Sequence, residues 1–134
     1  MPSAPLLLNP SAPRLVEGDR LGDFRQYVND HDAERVEIDI SSATSAVDVI
    51  GAMKDVLTFP SWCGSGWDSI DDAFAEIRAA WRFPLVMVVH GLEALLDGRR
   101  HVGLETVLRL HELEQAFSTA GDQFVVVFAG AAWS

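Results

Sequence analysis

The residues best suited to chemistry lie in one short stretch of the chain, residues 59–74. It holds three aspartates, Asp68, Asp71 and Asp72, just after a loop of tryptophan, glycine and serine. Carboxylates at this density could act as general acids and bases, coordinate a hard cation or bind a basic partner. Asp68 and Asp72 are four residues apart, so on a helix both project from one face, where like charges cost about 0.2 to 0.5 kcal/mol. A basic partner would remove that cost.

Metal binding and catalysis are the less favoured interpretations. Successive helix residues diverge by about 100°, so only Asp68 and Asp72 converge, and a hard cation requires more oxygen ligands. Cys63 could act as a nucleophile with His90 or His111, but a lone cysteine between an aromatic residue and a glycine is typical of a small, half-buried apolar side chain. We expect no cofactor, no metal site and no catalysis. A small carboxylate-dependent hydrolase stays open as a third possibility.

Hydrophobic periodicity predicts the elements that must position these residues. Alternation predicts a strand over 35–40, and continuous apolar runs predict buried strands over 83–90 and 124–128. Helical spacing predicts helices over 21–29, 46–57, 67–81 and 103–120, with one further turn over 91–96. Strands that alternate with helices indicate the α/β class, with a small, largely parallel three-stranded sheet and helical crossovers.

The helix predicted over 67–81 has two different faces. Its apolar residues lie within about 60° of one another: Ile70, Ala73, Phe74, Ile77 and Trp81. Asp68 and Asp72 lie nearly opposite this stripe, Asp71 lies to the side, and Trp62 precedes the helix. The acids therefore face solvent. The simpler alternative is that the aspartates complement the helix dipole and that Trp62 covers the edge of the core.

The chain as a whole is acidic. It has 134 residues, with 10 Lys plus Arg against 20 Asp plus Glu and a formal charge of -10. This charge disfavours direct binding of nucleic acid or an anionic membrane and favours a basic protein partner, although solubility alone could explain it. A single cysteine, no membrane-spanning run and no signal peptide predict a cytoplasmic protein. We expect one domain over 21–134 after an irregular, proline-rich leader over 1–20.

Residues 60–72 resemble the barstar family of intracellular ribonuclease inhibitors. The family pattern runs Pro, any residue, two aromatic residues, Gly, any residue, Asn, any residue, Asp, with a second acid one helical turn later. The spacing in this chain matches without a gap. Residues 83–86, the helix through Glu105 that leads to Gly121, and the last strand resemble the remainder of the family, so that the resemblance covers about residues 35–128.

The resemblance implies a barstar-like fold and an inhibitor that enters the active site of a basic, extracellular-type ribonuclease or a related toxin. Carboxylates of the acidic helix would occupy the positions of RNA phosphates, with the preceding loop beside them. The residues expected at the interface are Trp62, Gly64, Gly66, Trp67, Asp68, Asp71 and Asp72, where Asp68 and Asp72 match the two family aspartates. A third family carboxylate on the last helix corresponds to Glu112 or Glu114.

Three residues depart from the family pattern. Cys63 replaces the second loop aromatic, Gly66 replaces the asparagine, and Asp71 replaces an apolar or aromatic residue. We expect Gly66 to increase the freedom of the loop backbone and Asp71 to add a third acid to the surface. The free protein is expected to be a monomer. The alternative function is a barstar-like acidic module that binds a different basic protein and inhibits no nuclease.

Overall fold

A parallel sheet runs through the protein, whose computed structural model describes residues 14–130. Its strands are β1 (Arg14–Glu17), β2 (Glu34–Asp39), β3 (Leu85–His90) and β4 (Phe124–Gly130). They lie in the order β1, β4, β3, β2, and every neighbouring pair is parallel. β3 and β4 are almost entirely apolar and buried, which suits them to the two central positions, where helices cover both faces of the sheet.

Six α-helices connect the strands within residues 14–130. They are α1 (Leu21–Asp30), α2 (Ala46–Val56), α3 (Trp67–Asp72), α4 (Phe74–Ala80), α5 (Leu92–Gly98) and α6 (Arg100–Thr119), with one turn of 3-10 helix at Gly18–Arg20. α1 lies between β1 and β2, α2 to α4 between β2 and β3, and α5 and α6 between β3 and β4. The predicted α/β class with helical crossovers is confirmed.

The predicted number of strands is wrong, because β1 adds a fourth strand beside β4. Only two of its residues, Arg14 and Val16, are partly buried, and a strand of four residues is too short for periodicity to reveal. β1 falls within the leader that the prolines predict for residues 1–20. Residues 1–13 of that leader lie outside the described residues.

The helix predicted over 67–81 is divided into α3 and α4 at Ala73. The Ala73 backbone has φ -94° and ψ 6°, and its N–H is shared between the carbonyls of Ser69 and Ile70, both at 3.1 Å. Such a shared bond marks a local tightening of the helix. Aspartate is a poor helix former, and Asp68, Asp71 and Asp72 make up half of α3. The break therefore falls directly after the acidic residues.

The sheet separates two apolar layers. One face packs on α1 through Val86, Val88, Val125 and Val127. The opposite face packs on the other five helices and holds the larger core, which includes the predicted stripe residues Ile70, Ala73, Ile77 and Trp81. This packing turns the other side of α3 toward solvent. None of the helices in residues 14–130 is long and apolar enough to cross a membrane.

Candidate partner-binding site

The three aspartates of α3 form an exposed acidic surface. Trp67 and Ile70 of the same helix are buried in the larger core, whereas Asp68, Asp71 and Asp72 are all exposed. Within residues 14–130, no hydrogen bond or ion pair is formed by any of these three carboxylates. They can therefore accept hydrogen bonds from another molecule without breaking internal ones.

The position of the aspartates is unfavourable for the helix itself. Asp71 and Asp72 are its last two residues, at the end where the helix dipole disfavours negative charge. Asp68 and Asp72 also repel each other at their four-residue spacing. Glu76, exposed on α4, lies four residues beyond Asp72 and continues the same spacing. Sequence reasoning missed Glu76, although the four-residue repeat would have revealed it. Dipole complementarity explains Asp68 at the start of α3 but not the other two aspartates.

The loop before α3, residues 57–66, is attached to the core at its first half. The Trp81 indole N–H donates to the Thr58 carbonyl at 2.8 Å, and the Phe59 ring packs edge-on against Trp81 with centroids 5.7 Å apart. The Cys63 N–H donates to the Pro60 carbonyl at 3.0 Å, which closes a turn around Trp62. Trp62 itself is 58% exposed. The loop thus carries an exposed aromatic side chain on a fixed backbone.

Lys54 holds the second half of this loop. Its Nζ, on the last turn of α2, donates to the carbonyls of Cys63 at 2.8 Å and Gly64 at 3.0 Å. Bonds from an ammonium group to carbonyls are stronger than those from a neutral donor. Sequence reasoning did not single out this contact. Lys54 is the only lysine in the chain, but composition alone does not indicate which groups it contacts.

Gly64 lies directly against α3. A Cβ atom at this position would be 2.6 Å from the Ser69 Oγ, so a side chain would displace the Ser69 hydroxyl. Gly66 is different, because its φ of -105° and ψ of 160° are extended values that any residue adopts. Of the two loop glycines, Gly64 is therefore the one at which a side chain would meet a close neighbour.

The remaining predicted interface residues differ in exposure. Trp67 is only 8% exposed and belongs to the larger core, so its apolar surface supports α3 from inside. Glu114 is buried, and its Oε2 accepts a hydrogen bond from the Arg14 Nη1 at 2.6 Å. Glu112 is exposed and lies 3.6 Å from the Arg109 Nη1. Of the two candidate glutamates, Glu112 is the one whose carboxylate is accessible.

Two of the other groups that could carry chemistry, His90 and Cys63, have internal partners, whereas the Nδ1 of His111 is buried without a hydrogen-bond partner among residues 14–130. His90 Nε2 lies 2.7 Å from Glu37 Oε1. The Cys63 thiol is buried and approaches the carbonyls of Gly64 at 3.5 Å and Ser69 at 3.6 Å. Over residues 14–130, no group of three or more His, Cys, Asp or Glu side chains is arranged to hold a metal ion.

Comparison with known proteins adds an independent finding. The family model described as Barstar (barnase inhibitor) matches residues 33–129, which is 97 of the 134 residues. No curated protein sequence matches the chain. The matched span begins just before β2, ends within β4 and includes the loop and the acidic surface of α3. The chain therefore belongs to the barstar family.

Proposed function

We propose that the protein inhibits a basic ribonuclease, or a related toxin, by inserting α3 and the loop 57–66 into its active site. The observation that carries the proposal is the set of exposed carboxylates on α3 that have no partner among residues 14–130, on a helix preceded by a loop with the exposed Trp62. A ribonuclease binds RNA phosphates with cationic side chains. Asp68 and Asp72 would present negative charge to the same cations and so exclude RNA.

Asp72 is the proposed anchor of this interface. Loss of one member of a desolvated, hydrogen-bonded charge pair costs about 2 to 5 kcal/mol, and barnase with barstar is itself a standard example of such pairs. Asp68 lies one turn away on the same face, and Trp62 would supply apolar contact area beside the charges. Glu112 is the proposed third carboxylate, because Glu114 is already bound to Arg14.

The proposal is tested with barnase as the probe enzyme. We expect the purified protein to reduce barnase cleavage of a fluorogenic RNA substrate stoichiometrically at nanomolar concentrations. Addition of excess RNA should weaken this inhibition, since both ligands would compete for one site. Full barnase activity in the presence of micromolar protein would contradict the proposal. The monomeric free state and the cytoplasmic location belong to the same proposal, and the first is measured by sedimentation.

A second candidate is an acidic module for a different basic protein. The observation that favours it is Asp71, which is exposed at a position where the family has an apolar or aromatic residue. A third acid shifts the surface toward charge recognition and away from an apolar contact. Two results together would favour this candidate. The wild-type protein, but not Asp72→Ala, would capture a basic protein that lacks nuclease activity, and the wild-type protein would fail to inhibit barnase.

A further inference from the structure

We propose that Lys54 is a positioning residue that holds the binding loop in its partner-ready conformation before any partner arrives. The effect of Lys54 on binding affinity rests on the proposed inhibitory function. The effect of Lys54 on the loop is independent of that function and can be measured on the free protein. The two parts can therefore fail separately.

The contacts of Lys54 show that its charge is directed at the loop backbone. The chain carries 20 acids, yet among residues 14–130 no carboxylate forms an ion pair with Lys54. Its Nζ instead bonds two successive carbonyls, at 2.8 Å and 3.0 Å, and lies 5.9 Å from the centroid of the Phe59 ring. One ammonium group thus contacts residues on both sides of the exposed Trp62.

These contacts fix two peptide planes. The peptide bonds that follow Cys63 and Gly64 are trans, so their C=O and N–H groups point in opposite directions. With both carbonyls turned toward Lys54, the N–H groups of Gly64 and Ser65 point away from it. Loss of the ammonium group would free both planes to rotate, and Ser65 and Gly66 connect them directly to the start of α3. A loop ordered in advance binds more tightly, because less conformational entropy is lost on association.

A positioning role and a purely electrostatic role predict opposite signs. Lys54 is a positive charge beside a surface proposed to bind a positive partner. If charge alone mattered, its removal would strengthen binding, because the chain would become more acidic. If Lys54 orders the loop, its removal weakens binding in spite of the gain in negative charge. The direction of the change in affinity therefore separates the two roles.

The first test uses the free protein and its single cysteine. Cys63 is 7% exposed, so a thiol reagent such as Ellman's reagent reaches it only when the loop opens. We expect Lys54→Met to increase the rate of thiol modification by about tenfold or more, since two charge-assisted hydrogen bonds are lost. Lys54→Arg keeps the positive charge and N–H donors for charge-assisted bonds, so its rate should stay within about threefold of the wild type.

Arg20→Met is the control with the same change of charge. Arg20 is exposed beside α1, and α1 packs on the sheet face opposite α2 and α3. We expect it to leave the rate unchanged. The denaturation midpoint of each variant is measured as well, and modification rates are compared only between proteins whose midpoints agree. A global loss of stability is then not mistaken for loop opening. If Lys54→Met fails to fold, the shorter neutral variant Lys54→Gln carries the same expectation. A rate for Lys54→Met within twofold of the wild type would overturn the proposal.

The second test measures the dissociation constant with barnase. We expect Lys54→Met to weaken binding by about tenfold, whereas Arg20→Met should leave it equal or slightly tighter. Equal or tighter binding by Lys54→Met would overturn the positioning role. If the wild-type protein does not bind barnase, the inhibitory function fails, and the thiol measurement alone decides the role of Lys54.

Discussion

The acidic residues of this protein occupy two contrasting environments, one bonded to cationic side chains and one exposed to solvent. Glu37 accepts hydrogen bonds from Arg25 Nε at 2.8 Å and Nη2 at 2.6 Å and lies 2.7 Å from His90 Nε2. These partners, Arg25 above all, lower the pKa of Glu37 to about 2 from 4.5 although burial opposes them. Among the residues that the structure describes, 14–130, Asp68 and Asp72 have no such partners. Acids that stabilise the fold are bound to cations, whereas the proposed binding acids are left open.

Glu37 should make the stability of the protein depend on pH. Its pKa is lower in the folded state, so its contribution is complete above pH 4.5 and is lost as the pH falls toward 2. We expect Glu37→Gln to lower the free energy of unfolding at pH 7 by about 1 to 2 kcal/mol, since a quarter of the side chain is exposed and solvent screens the pair. Urea denaturation at pH 7 and pH 3 measures this.

Glu76→Gln is the matched control, because Glu76 is exposed and has no internal ion pair within residues 14–130. It should unfold like the wild type at both pH values. The variant Glu37→Gln should lose less stability than the wild type between pH 7 and pH 3. Equal losses in both proteins would show that Glu37 does not carry this pH dependence.

At the scale of elements, a buried ion pair links β1 to α6. β1 is a four-residue edge strand, and Arg14 at its start is bonded to Glu114 of α6, with side chains 10% and 7% exposed. Burial raises the pKa of Glu114, and Arg14 opposes that rise. A charge in this position is costly unless its partner is present. The pair therefore attaches β1 to α6 and keeps Glu114 away from the surface.

Removal of Arg14 alone should be more damaging than removal of the pair. We expect Arg14→Met to lower the free energy of unfolding by about 3 to 5 kcal/mol, because the buried Glu114 loses its hydrogen-bonded ion-pair partner. The double variant Arg14→Met with Glu114→Leu should recover most of this loss, since no buried charge remains. Chemical denaturation of the three proteins at pH 7 measures the difference. A double variant as unstable as the single one would contradict this account of β1.

The sequence predicts the elements well where a long apolar pattern exists. β3 and β4 are continuous apolar runs, and α1 and α2 end within one residue of their predicted bounds. β1 is missed because four residues give no measurable period. The break at Ala73 is missed because the apolar stripe continues across it. The contact of Lys54 with the loop joins different elements, and no local pattern in the sequence reports such a pairing.

For the site, the sequence of residues 60–72 predicts which side chains are exposed. It does not predict which contacts hold the loop. The exposed positions of Trp62, Asp68 and Asp72 follow from the helical face and the family resemblance. The burial of Glu114 does not follow from them, because it accompanies a bond to Arg14, which lies 100 residues away in the chain. Contacts of that range are visible only once the chain is folded.

At the scale of the whole molecule, the formal charge of -10 should guide association. Long-range attraction of a basic partner speeds encounter, and dissolved salt screens it beyond about 10 Å at 0.1 M. We expect the association rate constant with barnase to fall by at least tenfold between 20 mM and 500 mM NaCl, with a much smaller change in the dissociation rate. Stopped-flow fluorescence measures both. An association rate that does not respond to salt would contradict electrostatic guidance.

The central claim, that the acidic face of α3 binds the partner, is tested most directly by comparing two aspartates. Asp72→Ala and Asp97→Ala remove the same charge from exposed positions, the first on α3 and the second on α5. The measurement is the dissociation constant of each variant with barnase at one salt concentration. The account predicts that Asp72→Ala weakens binding by roughly 30-fold to several thousand-fold, while Asp97→Ala changes it by less than about threefold. Equal effects of the two substitutions would contradict it.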